Sequence, residues 1–202
     1  MNGSKRLKRD DGGVTMIEVV VSLTLMAVLM TIFTTAVLQV YRNVNQTEAI
    51  SSAQSQLNNV FLRLDKEVRY ASGVSEQDQI GDYWYVEYLN TSRGTEICAE
   101  LRLVTTTGVL QRRTWNRSQT PIQPTGWAAL ASNVYAVPGT DPFLFDAADP
   151  AKGLSFQQLT ITLAAHGRDD KQIAESSVTF AALNTSLATT STDVCTEGRS
   201  VA

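Results

Sequence analysis

The chain has 202 residues, a net charge of -3 and 43% hydrophobic residues. That length holds one membrane segment and one modest soluble domain, and the mild acidity gives no global basis for binding nucleic acid. Two cysteines are too few for the usual structural zinc site, and neither a P-loop nor a dinucleotide-binding fingerprint occurs in the sequence.

The chain opens on a basic segment, Lys5, Arg6, Lys8 and Arg9 against Asp10 and Asp11, a net of +2 over residues 1–13. Without it the remainder carries -5, an acidic domain behind a basic leader, which fits export better than life in the cytoplasm. Gly12 and Gly13 follow, then an apolar run. From Val14 to Tyr41 there are 28 residues, and Glu18 is the only charged one. The stretch from Val19 to Tyr41 is uncharged and long enough to span a hydrocarbon core of about 30 Å as a helix. Its polar members, Ser22, Thr24, Thr31, Thr34, Thr35 and Gln39, include hydroxyls able to bond back to helix carbonyls. Lys and Arg before the run predict a cytoplasmic N-terminus and a C-terminal domain outside the membrane. A cleaved secretory signal would have a shorter core and a small-residue site after it. Here the small residues come before the core, so cutting at them leaves the helix on the mature chain.

A carboxylate inside a membrane-length helix is costly unless paired. Two readings of Glu18 compete: a side chain that snorkels to the headgroups, and a charge that receives a partner. The leader, Gly13, the segment Val14-Thr15-Met16-Ile17-Glu18 and the apolar helix together resemble the class III signal peptides of type IV pilins and type II secretion pseudopilins. The resemblance implies a cut between Gly13 and Val14 by a membrane prepilin peptidase, N-methylation of Val14, and Glu18 as fifth mature residue and assembly determinant. Phe is usual in that family where Val14 stands, and Leu where Met16 stands. The new α-amino group has an intrinsic pKa of about 8. Its ammonium can pair with Glu18 of a staggered neighbour, more strongly in low dielectric than in water.

Apolar residues then recur at Ile50, Ala53, Leu57, Val60, Leu64, Val68 and Ala71, widened by Phe61, the stripe of an amphipathic helix facing a core rather than a partner groove. Asp65 and Arg69 form an i, i+4 pair. No Pro precedes Pro121 and no Gly lies between Gly13 and Gly73. One helix from about Val14 to Ala71, roughly 87 Å long, is therefore predicted, with Gly73 as its stop.

Beyond Gly73 the pattern changes to strands: Tyr83 to Leu89, Ile97 to Val104, Val109 to Trp115 after a Thr107-Gly108 turn, Val134 to Val137, Phe156 to Ala164 and Ile173 to Leu183. In the second of these, Ala99, Leu101 and Leu103 share one face and Cys98, Glu100 and Arg102 the other. Pro121, Pro124 and Gly126 mark a loop. An irregular stretch surrounds Phe143-Leu144-Phe145, and His166 to Asp170 makes a turn. Residues 185–202 read as a frayed Thr/Ser-rich tail unless Cys195 ties them to Cys98. Such a disulfide would close a loop worth roughly 4 kcal/mol; the other reading is two buried thiols.

The expected fold is α+β: leader 1–13, membrane and assembly helix 14–41, amphipathic helix 42–72, β-rich extracytoplasmic head 73–184 and tail 185–202. The resemblance implies the same pilin-like architecture, and the segment Val60 to Arg69 before the strands is loosely similar to the larger minor pilins and J-type pseudopilins. It also implies other pilin subunits and an inner-membrane assembly platform as partners, with the chain residing in the cytoplasmic membrane before entering a filament. A non-polymerising, membrane-anchored binding or adhesion module is the alternative.

Catalysis has little to stand on. His166 is the only histidine and falls in a polar turn, and no G-x-S-x-G motif occurs. Asp78, Asp82, Asp141, Asp169 and Asp170 lack the spacing of a calcium loop and read as solvated turn carboxylates. Arg112, Arg113 and Arg117 interleave with Trp115, a combination that can grip nucleic acid by charge and stacking; an exposed strand edge whose arginines discourage aggregation is the preferred reading, and nucleic acid is not an expected partner.

Overall fold

A computed structural model describes residues 13–92, 94–166, 173–192 and 194–200. Thr15 starts the first helix. Its hydroxyl accepts from the Glu18 backbone N–H at 3.4 Å, and its carbonyl from the N–H groups of Glu18 and Val19. Helix α1 then runs from Met16 to Arg69, 54 residues without a Gly or Pro to break it. It belongs to both compact units of the chain, Met1–Val44 and Asn45–Ala202.

Within the first unit every described residue up to Tyr41 is exposed. The hydroxyls do bond back: Thr24 donates to the Val21 carbonyl, Thr31 to Ala27 and Thr35 to Thr31 and Ile32, all at 2.8–3.0 Å. This part of α1 is long and apolar enough to cross a membrane.

In the second unit α1 buries Ala53, Leu57, Val60, Phe61, Leu64 and Val68, the expected stripe with Ile50 half-buried at its start. Among the described residues ten strands follow: β1 (Ala71–Val74), β2 (Asp78–Ile80), β3 (Tyr83–Ser92), β4 (Thr95–Val104), β5 (Val109–Asn116), β6 (Ala128–Ser132), β7 (Val134–Ala136), β8 (Phe143–Asp146), β9 (Gln157–His166) and β10 (Ile173–Ala182). They form two antiparallel sheets. The first has the order β1-β3-β4-β5-β6, with β2 also on β3; the second has β10-β9-β7, with β8 also on β9. One apolar layer joins the helix stripe to both sheets through Val86, Tyr88, Leu101, Leu103, Leu110, Phe143, Leu159, Ile161, Leu163 and Phe180. Each fully buried Leu or Ile contributes about 1.5–3 kcal/mol relative to exposure, so this layer dominates the head's stability.

Several expectations change. The helix does not reach Ala71 or stop on Gly73. Tyr70 makes the turn, Ala71 is already the first residue of β1, and Gly73 lies inside that strand. A Cβ on Gly73 would meet Val194 Cγ2 at 3.3 Å, so this glycine permits the C-terminal segment to approach rather than capping a helix. The stretch around Phe143 is a strand, β8, because β9 offers it a pairing edge from Phe143↔Ile161 to Asp146↔Gln158. β6 has only alanine, leucine and serine and no alternation to betray it. His166 ends β9 instead of entering the turn, and its ring stacks on Tyr135 at 4.5 Å. Asp169 and Asp170 lie outside the described residues.

Candidate functional site

Two regions carry the residues singled out from sequence. The first is the start of α1. Gly13 and Val14 precede the helix in extended chain, both exposed, and a Cβ at Gly13 would meet nothing within 4 Å. Glu18 sits in the first helical turn, three residues after Thr15. A carboxylate there faces the positive end of the helix dipole. The order Thr-x-x-Glu is that of a capping box; this is a local reason for an acid at position 18 that the sequence reading passed over. It is compatible with a second role, because the side chain is exposed and available to a neighbour. The leader residues 1–12 lie outside the described residues.

The second region is the face of the β3-β4-β5 sheet away from α1. Alternation along β5 sends Arg112 and Arg113 to opposite sides. Arg112 turns inward, where its guanidinium pairs with Glu67 of α1 at 2.8 Å and with the Tyr88 hydroxyl, which itself donates to Glu67. Burial raises the Glu67 pKa, but hydrogen bonds from Tyr88 and Arg63 and the charge of Arg112 outweigh it, leaving the pKa lowered. Burial also pushes the Tyr88 phenol up.

Arg113 turns outward and is still 3% exposed, because Gly198 and the Trp127 ring lie against it. β3, β4 and β5 place Glu87, Glu100 and Arg113 directly opposite one another in register. Two like charges facing across a ladder repel, and both glutamates are fully buried. Arg113 Nε donates to Glu100 Oε2 at 2.5 Å and its Nη2 to the Gly198 carbonyl at 2.6 Å. Arg199 supplies the second cation: Nε and Nη2 donate to the two oxygens of Glu87 at 2.8 and 2.6 Å. It also reaches Asp78 at 3.2 Å and the Glu76 carbonyl at 2.6 Å. Burial raises the pKa of Glu87 despite Arg199 and pushes Glu100 up to about 7 despite Arg113.

The expected disulfide is present. Cys98 and Cys195 are joined with Cα atoms 5.7 Å apart and 97 positions apart in sequence. Around it Leu89, Trp115 and Val194 form a second small core with Ile122 packed against it. Trp115 Nε1 donates to Glu197 at 3.1 Å, and Gly198 lies against the indole so closely that a Cβ would sit 2.3 Å from Cη2. With Cys195 tied to Cys98, the described part of the tail packs on the head and includes a 3-10 turn, Thr196–Ser200, instead of fraying.

These contacts correct the DNA reading. Arg112 and Arg113 are interior ion-pair partners, Trp115 is 3% exposed beneath the tail, and β5 is flanked by β4 and β6 rather than forming an edge. Arg117 alone stays on the surface, 3.7 Å from Glu96. Asp78 serves Arg199, and Asp78, Asp82 and Asp141 are not brought together. Among the described residues, one group of potential metal ligands converges, Cys98, Cys195 and Glu197, and its two sulfurs are bonded to each other. Glu87, Glu197, Arg199 and Trp127 went unremarked in the sequence, and Glu100 entered only as a residue on the face of Cys98 and Arg102. Trp127 stacks under the guanidinium groups of Arg102 and Arg113 at 3.8 and 4.1 Å, fastening the 117–127 loop to the same face.

No curated protein and no solved structure shows a significant match to this chain. Residues 8–34 match the model of the prokaryotic N-terminal methylation motif, a match confined to the leader, Gly13, Glu18 and the first turns of the apolar helix. The β-rich head behind one long helix has the α+β, pilin-like arrangement, and the methylation motif supports a class III signal peptide at the N-terminus.

Proposed function

We propose that this chain is a non-catalytic structural subunit, a minor pilin or pseudopilin, cut by prepilin peptidase between Gly13 and Val14 and methylated on Val14. Before assembly it rests in the cytoplasmic membrane with its head outside; afterwards its helix packs among those of other subunits, delivered by an inner-membrane platform. The observation that carries this reading is the ordered series of basic leader, Gly13, Glu18 and uncharged helix, which coincides with the methylation motif. In this reading Glu18 receives the new ammonium of a neighbouring subunit, a role supported by its exposure in the first turn. In a low-dielectric helix bundle that pair fixes axial register, because any other stagger leaves both charges unpaired.

Intact mass of the chain extracted from membranes with an active prepilin peptidase should show a start at Val14 plus one methyl group. A chain still beginning at residue 1 or 2 would overturn the processing. Glu18→Ala should leave processing intact and remove the chain from filaments. If it instead leaves every surface function unchanged, a membrane-anchored binding module that never polymerises is the better reading.

A further inference from the structure

Besides its packing on Trp115 and its polar contacts to Gln157 and Glu76, the C-terminal segment is fastened to the head in two chemically different ways. One is covalent, the Cys98–Cys195 disulfide. The other is a seat for Arg199 built by Glu87, Asp78, the Ser75 hydroxyl and the Glu76 carbonyl, with Arg113 holding the Gly198 carbonyl alongside. Glu87 and Glu100 are both fully buried and face each other in register, so the sheet alone places two acids together with only Arg113 between β3 and β5 to offset them. Arg199 completes a two-against-two balance, and it arrives from the tail. Upstream, the Gln157 side chain donates to the Thr189 carbonyl and Ser191 donates to Glu76, which marks the path of the segment before it reaches the disulfide.

We propose that residues 186–200 form a strap with two independent locks, so that reducing the disulfide leaves the strap seated and only the loss of both locks uncovers the Glu87-Glu100-Trp115 face. The first lock opens by exchange with a dithiol. A thiolate of the dithiol attacks one sulfur, the Cys98–Cys195 bond breaks, and the mixed disulfide resolves through the second thiol of the reductant. Two electrons and two protons end on Cys98 and Cys195, and the dithiol becomes a disulfide. The second lock is electrostatic and unaffected by that chemistry. Its strength follows from charge-assisted hydrogen bonds to buried carboxylates in low dielectric. The strap thus tolerates a reducing compartment before export and becomes permanent once oxidised.

The test is hydrogen exchange of the processed full-length chain in detergent, read by mass spectrometry on peptides from 186–200. Oxidised wild type, reduced wild type and oxidised Arg199→Gln should all keep the strap amides protected. Reduced Arg199→Gln should exchange them about 100-fold faster than reduced wild type, while β9 and β10 peptides stay protected and show that the head is folded. Arg199→Lys, which keeps the charge but not the fork, should fall between the two when reduced. Full deprotection on reduction of wild type would overturn the second lock. Unchanged protection in reduced Arg199→Gln would show that Arg199 is not that lock.

Discussion

Glu100 makes the head's stability depend on pH in a direction opposite to that of carboxylates whose pKa is lowered by ion pairs, such as Glu67. It is fully buried, has Arg113 on one oxygen, and its other oxygen has no hydrogen-bond partner among the described residues. Burial lifts its pKa from 4.5 to about 7. Between those values the folded head holds a proton that the unfolded chain has released. This group's contribution is therefore fully present below about pH 4.5 and is lost as pH rises through about 7. The shift corresponds to about 3 kcal/mol, most of which falls between pH 5 and 8. Glu100→Gln removes the titration while keeping the shape. Guanidinium unfolding of the processed chain in detergent, followed by tryptophan fluorescence, should show the variant gaining about 2–3 kcal/mol on wild type from pH 5 to 8. Glu67, whose lowered pKa works the other way, is present in both proteins and cancels. Parallel pH curves for the two proteins would refute the reasoning.

Other substitutions probe the packing. Leu64→Ala, at a fully buried position in the helix stripe, should lower head stability by about 2–5 kcal/mol in the same unfolding assay. Gly108→Ala should lose about 1–3 kcal/mol, since φ is 61° there and the new Cβ would lie 2.4 Å from Tyr135 Cζ; adding Tyr135→Ala should recover the steric part, seen as a partial return of the melting temperature. Gly198→Ala should displace the Trp115 indole and shift its fluorescence emission, because the Cβ has no room over the ring. Glu67→Gln leaves the Arg112 cation half-buried without its carboxylate and should destabilise the head by about 3 kcal/mol, measured by thermal melting.

The parts of this fold legible in sequence are those governed by local periodicity. The α1 stripe follows 3.6-residue spacing, and the Asp65–Arg69 pair forms at 2.6 Å as its i, i+4 placement requires. β3, β4, β5, β9 and β10 carry enough alternation or β-branched content to declare themselves. What stayed hidden depends on distant chain. β6 and β8 are strands because a neighbour offers an edge, and nothing in Ala128–Ser132 announces that. Alternation puts Cys98, Glu100 and Arg102 on one face of β4, but nothing local tells that the C-terminal segment buries the first two. The arginines offered as a DNA grip illustrate the same limit. Charge along one strand looks free until the carboxylates of α1, β4 and the partners of the tail are placed opposite it. The Thr15-x-x-Glu18 cap was readable from spacing, but the membrane context drew attention away from it.

The row Glu87–Glu100–Arg113 also acts as a parity check on strand pairing. A slip of β4 by one residue would rotate Glu100 into the apolar layer beneath α1 and turn Leu101 outward, leaving a bare carboxylate where Leu57 and Leu64 gather. Cys98 shares the face and the strand of Glu100, so a misregistered hairpin also points its thiol away from Cys195. Oxidation of the pair is therefore a record that the sheet was assembled in register, written into the chain after the pairing and legible as a single covalent bond.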